Sequence, residues 1–288
     1  MTQTIQELLS KFSTNQQPVQ YVDTVEAYDK WAEVYDTDGN FLQRLDTIEM
    51  RTILPNFINL VDNHCNPNQT SPSLPIILDL GCGTGRNTVA LLSALRTANK
   101  ADRFSVVGLD ASRGMLEVAR TAVEEYVKNA ATSDTTASAV ELGIIDLLQS
   151  DLRLPSSLSA ARATGVISTL VLEHIPLQRF FAAAAGVMRT GGYLLVTNMH
   201  AEMGSRSQAG FTDASGVKVR PTSYCHEIAD VLDAARRAGL EVVEMPGGGE
   251  DGVIVRSVDE ALGDVLGARA KKWVGIRVWF AVCFVKKA

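Results

Sequence analysis

The chain has 288 residues, of which 46% are hydrophobic and 21% charged, and its formal net charge is −6. This composition is ordinary for a globular protein, and the length fits one large α/β domain or two small ones. The acidic balance argues against a protein that binds along a nucleic-acid backbone. The sequence has no apolar run of the roughly 18 residues that span a bilayer and no secretory signal pattern at its start. We therefore expect neither nucleic-acid nor membrane partners.

The four cysteines are scattered along the chain without a CxxC pair: Cys65, Cys82, Cys225 and Cys283. This spacing gives no support to a disulfide framework or a zinc site. We expect a reducing, cytoplasmic setting and no bound metal.

In chain order, residues 1–62 form a helical region, and a polar linker with three prolines follows at 63–75. Beyond it, apolar runs and helical periodicity alternate. Strands are predicted at Ile76–Leu80, 104–110, 142–148, 165–172, 193–199, 240–245 and 277–285. Helices are predicted at 86–95, 114–127, from Pro176 to the glycines at 191 and 192, at 223–238 and at 258–271, with a lid at 201–222.

This alternation predicts an α/β fold. Successive βαβ units give a doubly wound, mostly parallel, Rossmann-like sheet of seven strands with helices on both faces. Residues 76–288 would form this domain, and the N-terminal helices would cap it. Such sheets bind ligands outside the carboxyl ends of their strands, so the functional residues are expected where strands stop.

The strongest local signal is the segment DLGCGTG, which runs from Asp79 to Gly85. Glycines after a strand permit a tight turn and let a ligand lie against bare backbone, and the next helix offers free N–H groups. Asp79 would repel a pyrophosphate but attract an ammonium group, so the methionine end of S-adenosylmethionine (SAM) fits better than a dinucleotide. The GxGxxG spacing of a dinucleotide turn is also missing, because Arg86 occupies the third glycine position.

Two further segments follow predicted strands. Asp110 ends the second strand, where a carboxylate can accept both hydroxyls of a ribose or cap the helix that follows. Met115, one turn into that helix, could lie against an adenine face or pack in the core. After the third strand, Asp151 could accept the amino hydrogens of adenine, and the backbone of Leu152 could bond the ring edge.

These segments together resemble the class I SAM-dependent methyltransferases. The resemblance rests on LDLGCGTG, VVGLDAS, QSDLRLP, GVISTLVLEHI and GGYLLVTNMH and runs from about Ile76 to the C-terminus. VEAYDKWAEVYD at 25–36 and LEHI at 172–175 resemble the ubiquinone-biosynthesis type, and the tail from Met199 resembles small-molecule methyltransferases of fungal secondary metabolism.

The resemblance implies a role for each matching position. The methionine end of SAM would be held by Asp79, Gly81, Cys82, Gly83 and Gly85. The ribose and adenine would be held by Asp110, Ala111, Met115, Asp151 and Leu152. Leu170 would lie near the sulfonium. Tyr28 and Tyr35, in the region before the first strand, would cap the cofactor, although their helical spacing also fits ordinary packing.

The sequence leaves the catalytic group open. Positioning alone can supply most of the acceleration of methyl transfer, and a base is needed only if the acceptor must lose a proton. His200, at the end of the fifth strand, and His174, after the fourth, are the candidates. The expected partner is a small-molecule acceptor methylated on oxygen, nitrogen or sulfur, and the sequence does not specify the acceptor or the oligomeric state.

Two alternatives remain. One is a SAM-binding regulatory protein without turnover, which none of the motifs excludes. The other is a nicotinamide-dependent oxidoreductase, which the glycine spacing and Asp79 both oppose.

Overall fold

A large sheet with helices on both faces forms the centre of the computed structural model, which describes residues 4–10, 19–65, 74–130, 139–149 and 153–287. The strands are β1 (Val19–Tyr21), β2 (Ile76–Leu80), β3 (Ser105–Asp110), β4 (Val140–Ile144), β5 (Ala163–Thr169), β6 (Met188–Met199), β7 (Phe211–Thr212), β8 (Lys218–Arg220), β9 (Leu240–Val243), β10 (Ile254–Ser257) and β11 (Arg277–Lys286). The helices are α1 (Ile5–Ser10), α2 (Thr24–Trp31), α3 (Phe41–His64), α4 (Arg86–Thr97), α5 (Arg113–Ala130), α6 (Ser156–Ala160), α7 (Leu177–Val187), α8 (Ala201–Gly204), α9 (Ile228–Arg237) and α10 (Glu260–Leu266), with 3₁₀ turns at Leu172–His174 and Ala268–Trp273.

The central sheet has the strand order β10-β11-β6-β5-β2-β3-β4, and β9 also pairs with β11. Strands β6, β5, β2, β3 and β4 run parallel, whereas β11 is antiparallel to β6. The predicted mostly parallel α/β fold is confirmed. The sheet has eight strands rather than seven because two short strands share the place beside β11. Residues 254–257 of β10 pair with the first half of β11, and β9 pairs with its last residues.

Alternation along the strands sends side chains to two cores. Ile77 and Ile167 pack on one face against α3 and α4. Leu78 and Val166 pack on the other face with Phe180 of α7 and the apolar side of α9. Every residue of β2 and of β5 is buried, as the strands of a sheet covered on both faces require.

Four element bounds differ from prediction, two of them because of glycine geometry. Helix α7 ends at Val187, and Gly191 (φ 75°) forms a bulge inside β6 instead of ending the helix. Gly267 (φ 97°) divides the predicted helix at 258–271 into α10 and a 3₁₀ turn. Strand β4 ends at Ile144, four residues early, and the chain then turns. Helix α9 begins at Ile228, not 223, after an extended segment.

The N-terminal region is joined to the predicted lid by a small second sheet. Strand β1 lies parallel to β8, which pairs antiparallel with β7, so residues 19–21 contact residues 211–220. Helix α3 runs through residue 62 and packs on the central sheet. The division into a cap at 1–62, a linker and a methyltransferase domain with a lid stays a prediction. None of the helices in the described ranges is both long and apolar enough to cross a membrane.

Candidate active site

A cavity, called here the first cavity, opens at the carboxyl ends of β2, β3 and β5. Eight of the predicted cofactor-binding residues line it: Tyr28, Tyr35, Gly81, Gly83, Asp110, Ala111, Met115 and Leu170. His174 also lines it. Three adjacent strand ends therefore contribute to one site, as the strand order of a doubly wound sheet requires.

The turn between β2 and α4 needs glycine for two reasons. Gly81, Gly83 and Gly85 all have positive φ angles, 79°, 55° and 82°, a region that residues with a side chain rarely adopt. At Gly81 a Cβ atom would also lie 2.3 Å from Cγ2 of Val171. Gly85 then begins α4 without a side-chain cap. The turn thus presents bare backbone to the cavity at the start of a helix.

Asp110 holds this turn against β3. Its Oδ2 accepts a hydrogen bond of 2.8 Å from the N–H of Gly83, and its Oδ1 accepts one of 2.9 Å from the N–H of Ser112. Burial raises the pKa of Asp110, although the backbone N–H groups of Ser112 and Gly83 act in the opposite direction. Each carboxylate oxygen retains a lone pair for a ligand.

The other residues predicted around the glycine turn do not line the first cavity. Asp79 is fully buried; its Oδ2 accepts a 2.6 Å hydrogen bond from Thr88, and its Oδ1 has no partner among the described residues. Burial raises the pKa of Asp79 to about 7. Cys82 is buried against Gly108, and Gly85 packs against Ala119 of α5.

The part of the first cavity that follows β4 contains an acidic residue that the sequence prediction missed. Asp151 and Leu152 lie outside the described residues. Because β4 ends early, the acidic residue that follows it is Asp146, which lines the first cavity beside Ile145 and Leu147. Its Oδ1 accepts from the N–H of Leu148 and its Oδ2 from the side chain of Gln149. The signal that could have found it is the alternation of Val140, Leu142 and Ile144, which stops at residue 144.

Helix α2 and the turn after it carry the aromatic wall of the first cavity, which consists of Tyr28 and Tyr35. Asp29 fixes this helix, because its Oδ1 accepts hydrogen bonds from the hydroxyl of Ser112 (2.6 Å) and the N–H of Gly114 (3.0 Å). The Tyr28 ring lies 5.9 Å from that of Tyr35, centroid to centroid. Burial raises the pKa of both hydroxyls, so both stay protonated donors at neutral pH.

The two candidate histidines differ in their surroundings. His174 Nδ1 faces the carbonyl oxygen of Thr222 at 2.9 Å, and its Nε2 lies 2.7 Å from the hydroxyl of Tyr28. A carbonyl oxygen can only accept, so in the neutral ring Nδ1 carries the proton and Nε2 accepts from Tyr28. His200 does not line the first cavity; its Nδ1 accepts from the N–H of Glu202 and caps α8. Burial lowers the pKa of His200.

Comparison with known proteins identifies the family. Residues 78–196 match the model of a methyltransferase domain. An uncharacterized methyltransferase of Emericella nidulans is 51% identical over 293 residues, which cover 97% of this chain and 99% of that protein. The chain belongs to the class I SAM-dependent methyltransferases. It is an enzyme of this family, and its cofactor is SAM.

Solved structures similar to this methyltransferase share its fold at low sequence identity. An O-methyltransferase family protein from Burkholderia thailandensis is 14% identical with a TM-score of 0.55, and the match covers 99% of this chain and 68% of that one. The [4+2]-cyclase SpnF is 15% identical with a TM-score of 0.53, over 94% of this chain and 100% of that one. These likenesses show the fold alone.

Proposed function

We propose that this methyltransferase binds SAM in the first cavity and transfers the methyl group to oxygen, nitrogen or sulfur of a small-molecule metabolite. The main support is that the glycine turn, Asp110 and Leu170 line one cavity. Bound SAM supplies a methyl group that its sulfonium already activates, so binding and orientation are the main tasks of the protein.

The residues that line the first cavity fit the parts of SAM. The free lone pairs of Asp110 suit the two ribose hydroxyls. Ala111, Met115 and Asp146 offer apolar contact and an acceptor for adenine. Asp151 and Leu152, outside the described residues, stay candidates for adenine binding from the sequence. The backbone of Gly81 and Gly83 suits the methionine end. The Oδ1 of Asp79, a buried acceptor without a partner among the described residues, would attract that end.

Tyr28, Tyr35 and Leu170 would close the cavity around the reacting methyl group. Leu170 has a φ of 57°, a conformation that residues other than glycine hold only where the surrounding structure enforces it. His174 acts as a base, and its proton path runs through the Tyr28 hydroxyl, because both residues line the cavity. His200 has no such role, because its Nδ1 is engaged as a cap.

The proposal extends to a cytoplasmic location and a role in secondary metabolism. All four cysteines are free, which is usual in a reducing compartment. The secondary-metabolism role rests on the resemblance of the tail from Met199 to fungal methyltransferases of that kind.

Substitution of Asp110 tests the site. In Asp110→Asn one carboxylate acceptor becomes an amide donor that faces a backbone N–H group, so the affinity for SAM in calorimetry should fall about ten- to hundredfold. Asp102→Asn, at an exposed aspartate in the turn before β3, is the matched control and should bind like the wild type. Wild-type affinity in a folded Asp110→Asn protein would exclude this site.

A further inference from the structure

A second cavity lies on the other side of the aromatic wall. Trp31 lines it, and the Trp31 ring lies 5.6 Å from that of Tyr28 and 5.1 Å from that of Tyr35, both of which line the first cavity. Glu173 also lines the second cavity, and its Oε1 lies 3.4 Å from Nε2 of His174 in the first. The two cavities are therefore adjacent, and pairs of contacting side chains lie between them.

Three buried polar atoms at this cavity lack a hydrogen-bond partner among the described residues: Oε2 of Glu173, Oε1 of Gln208 and Nε1 of Trp273. All three side chains belong to residues less than a tenth exposed. The amide nitrogen of Gln208 donates to the carbonyl of Pro221 at 2.7 Å, which leaves its oxygen as the free acceptor. Buried polar atoms are nearly always bonded, so two acceptors and one donor on one cavity indicate a polar ligand.

Basic side chains lie at and near the second cavity. Arg269 and Lys272 line the second cavity. Lys218 and Arg220 lie on β8, and the side chain of Arg220 packs against Gly210 of the cavity wall. Burial and the charges of Arg220, Lys272 and Arg269 together lower the pKa of Lys218.

No ion pair in the described ranges involves any of these four cations. The carboxylates that face the cavity are Glu173 and Asp38. Both oxygens of Asp38 are occupied, by the N–H groups of Asn40 and of the Trp31 indole. Four cations without acidic partners, in a chain of net charge −6, favour an anionic ligand here.

We propose that the second cavity binds the methyl acceptor, and that the acceptor is a small carboxylate that also carries a hydroxyl or amine group. Lys272 and Arg269 hold its carboxylate, Glu173 and Gln208 accept from its hydroxyl or amine, and Trp31 and Trp273 supply apolar walls. This assignment rests on the proposed function, because it makes the first cavity the cofactor site.

Tryptophan fluorescence tests the assignment without turnover. Two of the three tryptophans, Trp31 and Trp273, line the second cavity, and Trp279 is fully buried in the core. The probes are 4-hydroxybenzoate, 4-aminobenzoate and malate, each compared with its neutral amide, on protein that has been loaded with S-adenosylhomocysteine. We expect at least one carboxylate to change the fluorescence at concentrations where its amide does not.

Two lysine variants make the test specific. Lys272→Met, at an exposed residue, should weaken binding of that carboxylate about tenfold or more. The control is Lys271→Met, at the residue before Lys272. It removes a lysine that pairs with Asp264, and this variant should bind the carboxylate like the wild type. Equal binding of carboxylate and amide, equal weakening by both variants, or no binding of any carboxylate would overturn the assignment. Calorimetry of the wild-type protein with SAM reports separately on the proposed function. If the protein binds the carboxylate but not SAM, only the proposed function is overturned.

Discussion

At the scale of single residues, Asp79 combines burial with an incomplete set of hydrogen bonds. The sequence predicts a carboxylate beside the ligand, and the structure places it beneath the glycine turn, where Thr88 donates to one oxygen and the other has no partner among the described residues. Burial of the charged form has an energetic cost, which is why the pKa of Asp79 rises to about 7. In the absence of SAM, Asp79 is therefore a source of pH dependence.

The stability of the protein without SAM should fall as pH rises through this window. The pKa in the folded state lies above the ordinary aspartate value, so between roughly pH 4 and pH 7 the folded protein holds a proton that the unfolded chain has released. Stability contributed by the protonated form is complete below about pH 4 and is lost by about pH 7, with an upper bound of about 4 kcal/mol. Urea unfolding at about pH 5 and about pH 8 measures the loss.

Asp79→Asn, which cannot titrate, should lose less stability between these two pH values than the wild type. Asp233→Asn, at a partly buried aspartate of α9 that pairs with two exposed arginines, should keep the wild-type loss. An unchanged loss in Asp79→Asn would show that Asp79 does not carry the pH dependence.

At the scale of elements, a buried carboxylate joins helix α3 to the sheet. Asp46 is fully buried and accepts four hydrogen bonds, from Arg86 (2.9 Å), Asn87 (3.1 Å), Thr197 (2.5 Å) and Trp279 (3.0 Å). These donors come from α4, β6 and β11. Asn87 also donates to Thr169, which lines the first cavity. The network therefore connects α3 to the end of β5, where the site begins.

Removal of this carboxylate should be strongly destabilising. Asp46→Ala leaves a buried set of donors and the charge of Arg86 without their partner, so we expect a loss of about 3–5 kcal/mol in the free energy of unfolding. Asp233→Ala also removes an ion-paired aspartate, but its arginine partners are exposed, and the loss should stay within about 1 kcal/mol. Chemical denaturation measures both; similar losses in the two variants would contradict the structural role of the network.

Several of these elements could be predicted from the sequence, and others could not. The runs at β2, β3, β5 and β11 are apolar and bounded by turn residues, so their positions and the glycine turn follow from local pattern. Strand β10 is only four residues long, and it pairs with distant residues of β11. The bulge at Gly191 and the break at Gly267 depend on positive φ angles. Glycine permits such angles, but its presence in the sequence does not show that it adopts them.

At the scale of the whole molecule, the two cavities differ in how they are built. The first lies where the strands end, and eight of its lining residues could be predicted from the strand ends together with the family resemblance. The second combines Trp31, Glu173, Gln208 and Trp273, which lie far apart in the chain. Their meeting depends on the small sheet of β1, β8 and β7 and on the turn after Gly267. No periodic pattern marks such long-range contacts, so the sequence does not predict this cavity.

The most direct test of this account is a crystal structure with S-adenosylhomocysteine. The account predicts that the ligand occupies the first cavity, with its ribose hydroxyls within hydrogen-bond distance of Asp110, and that the second cavity stays open to an acceptor. Binding of S-adenosylhomocysteine in the second cavity, or away from Asp110, would contradict it.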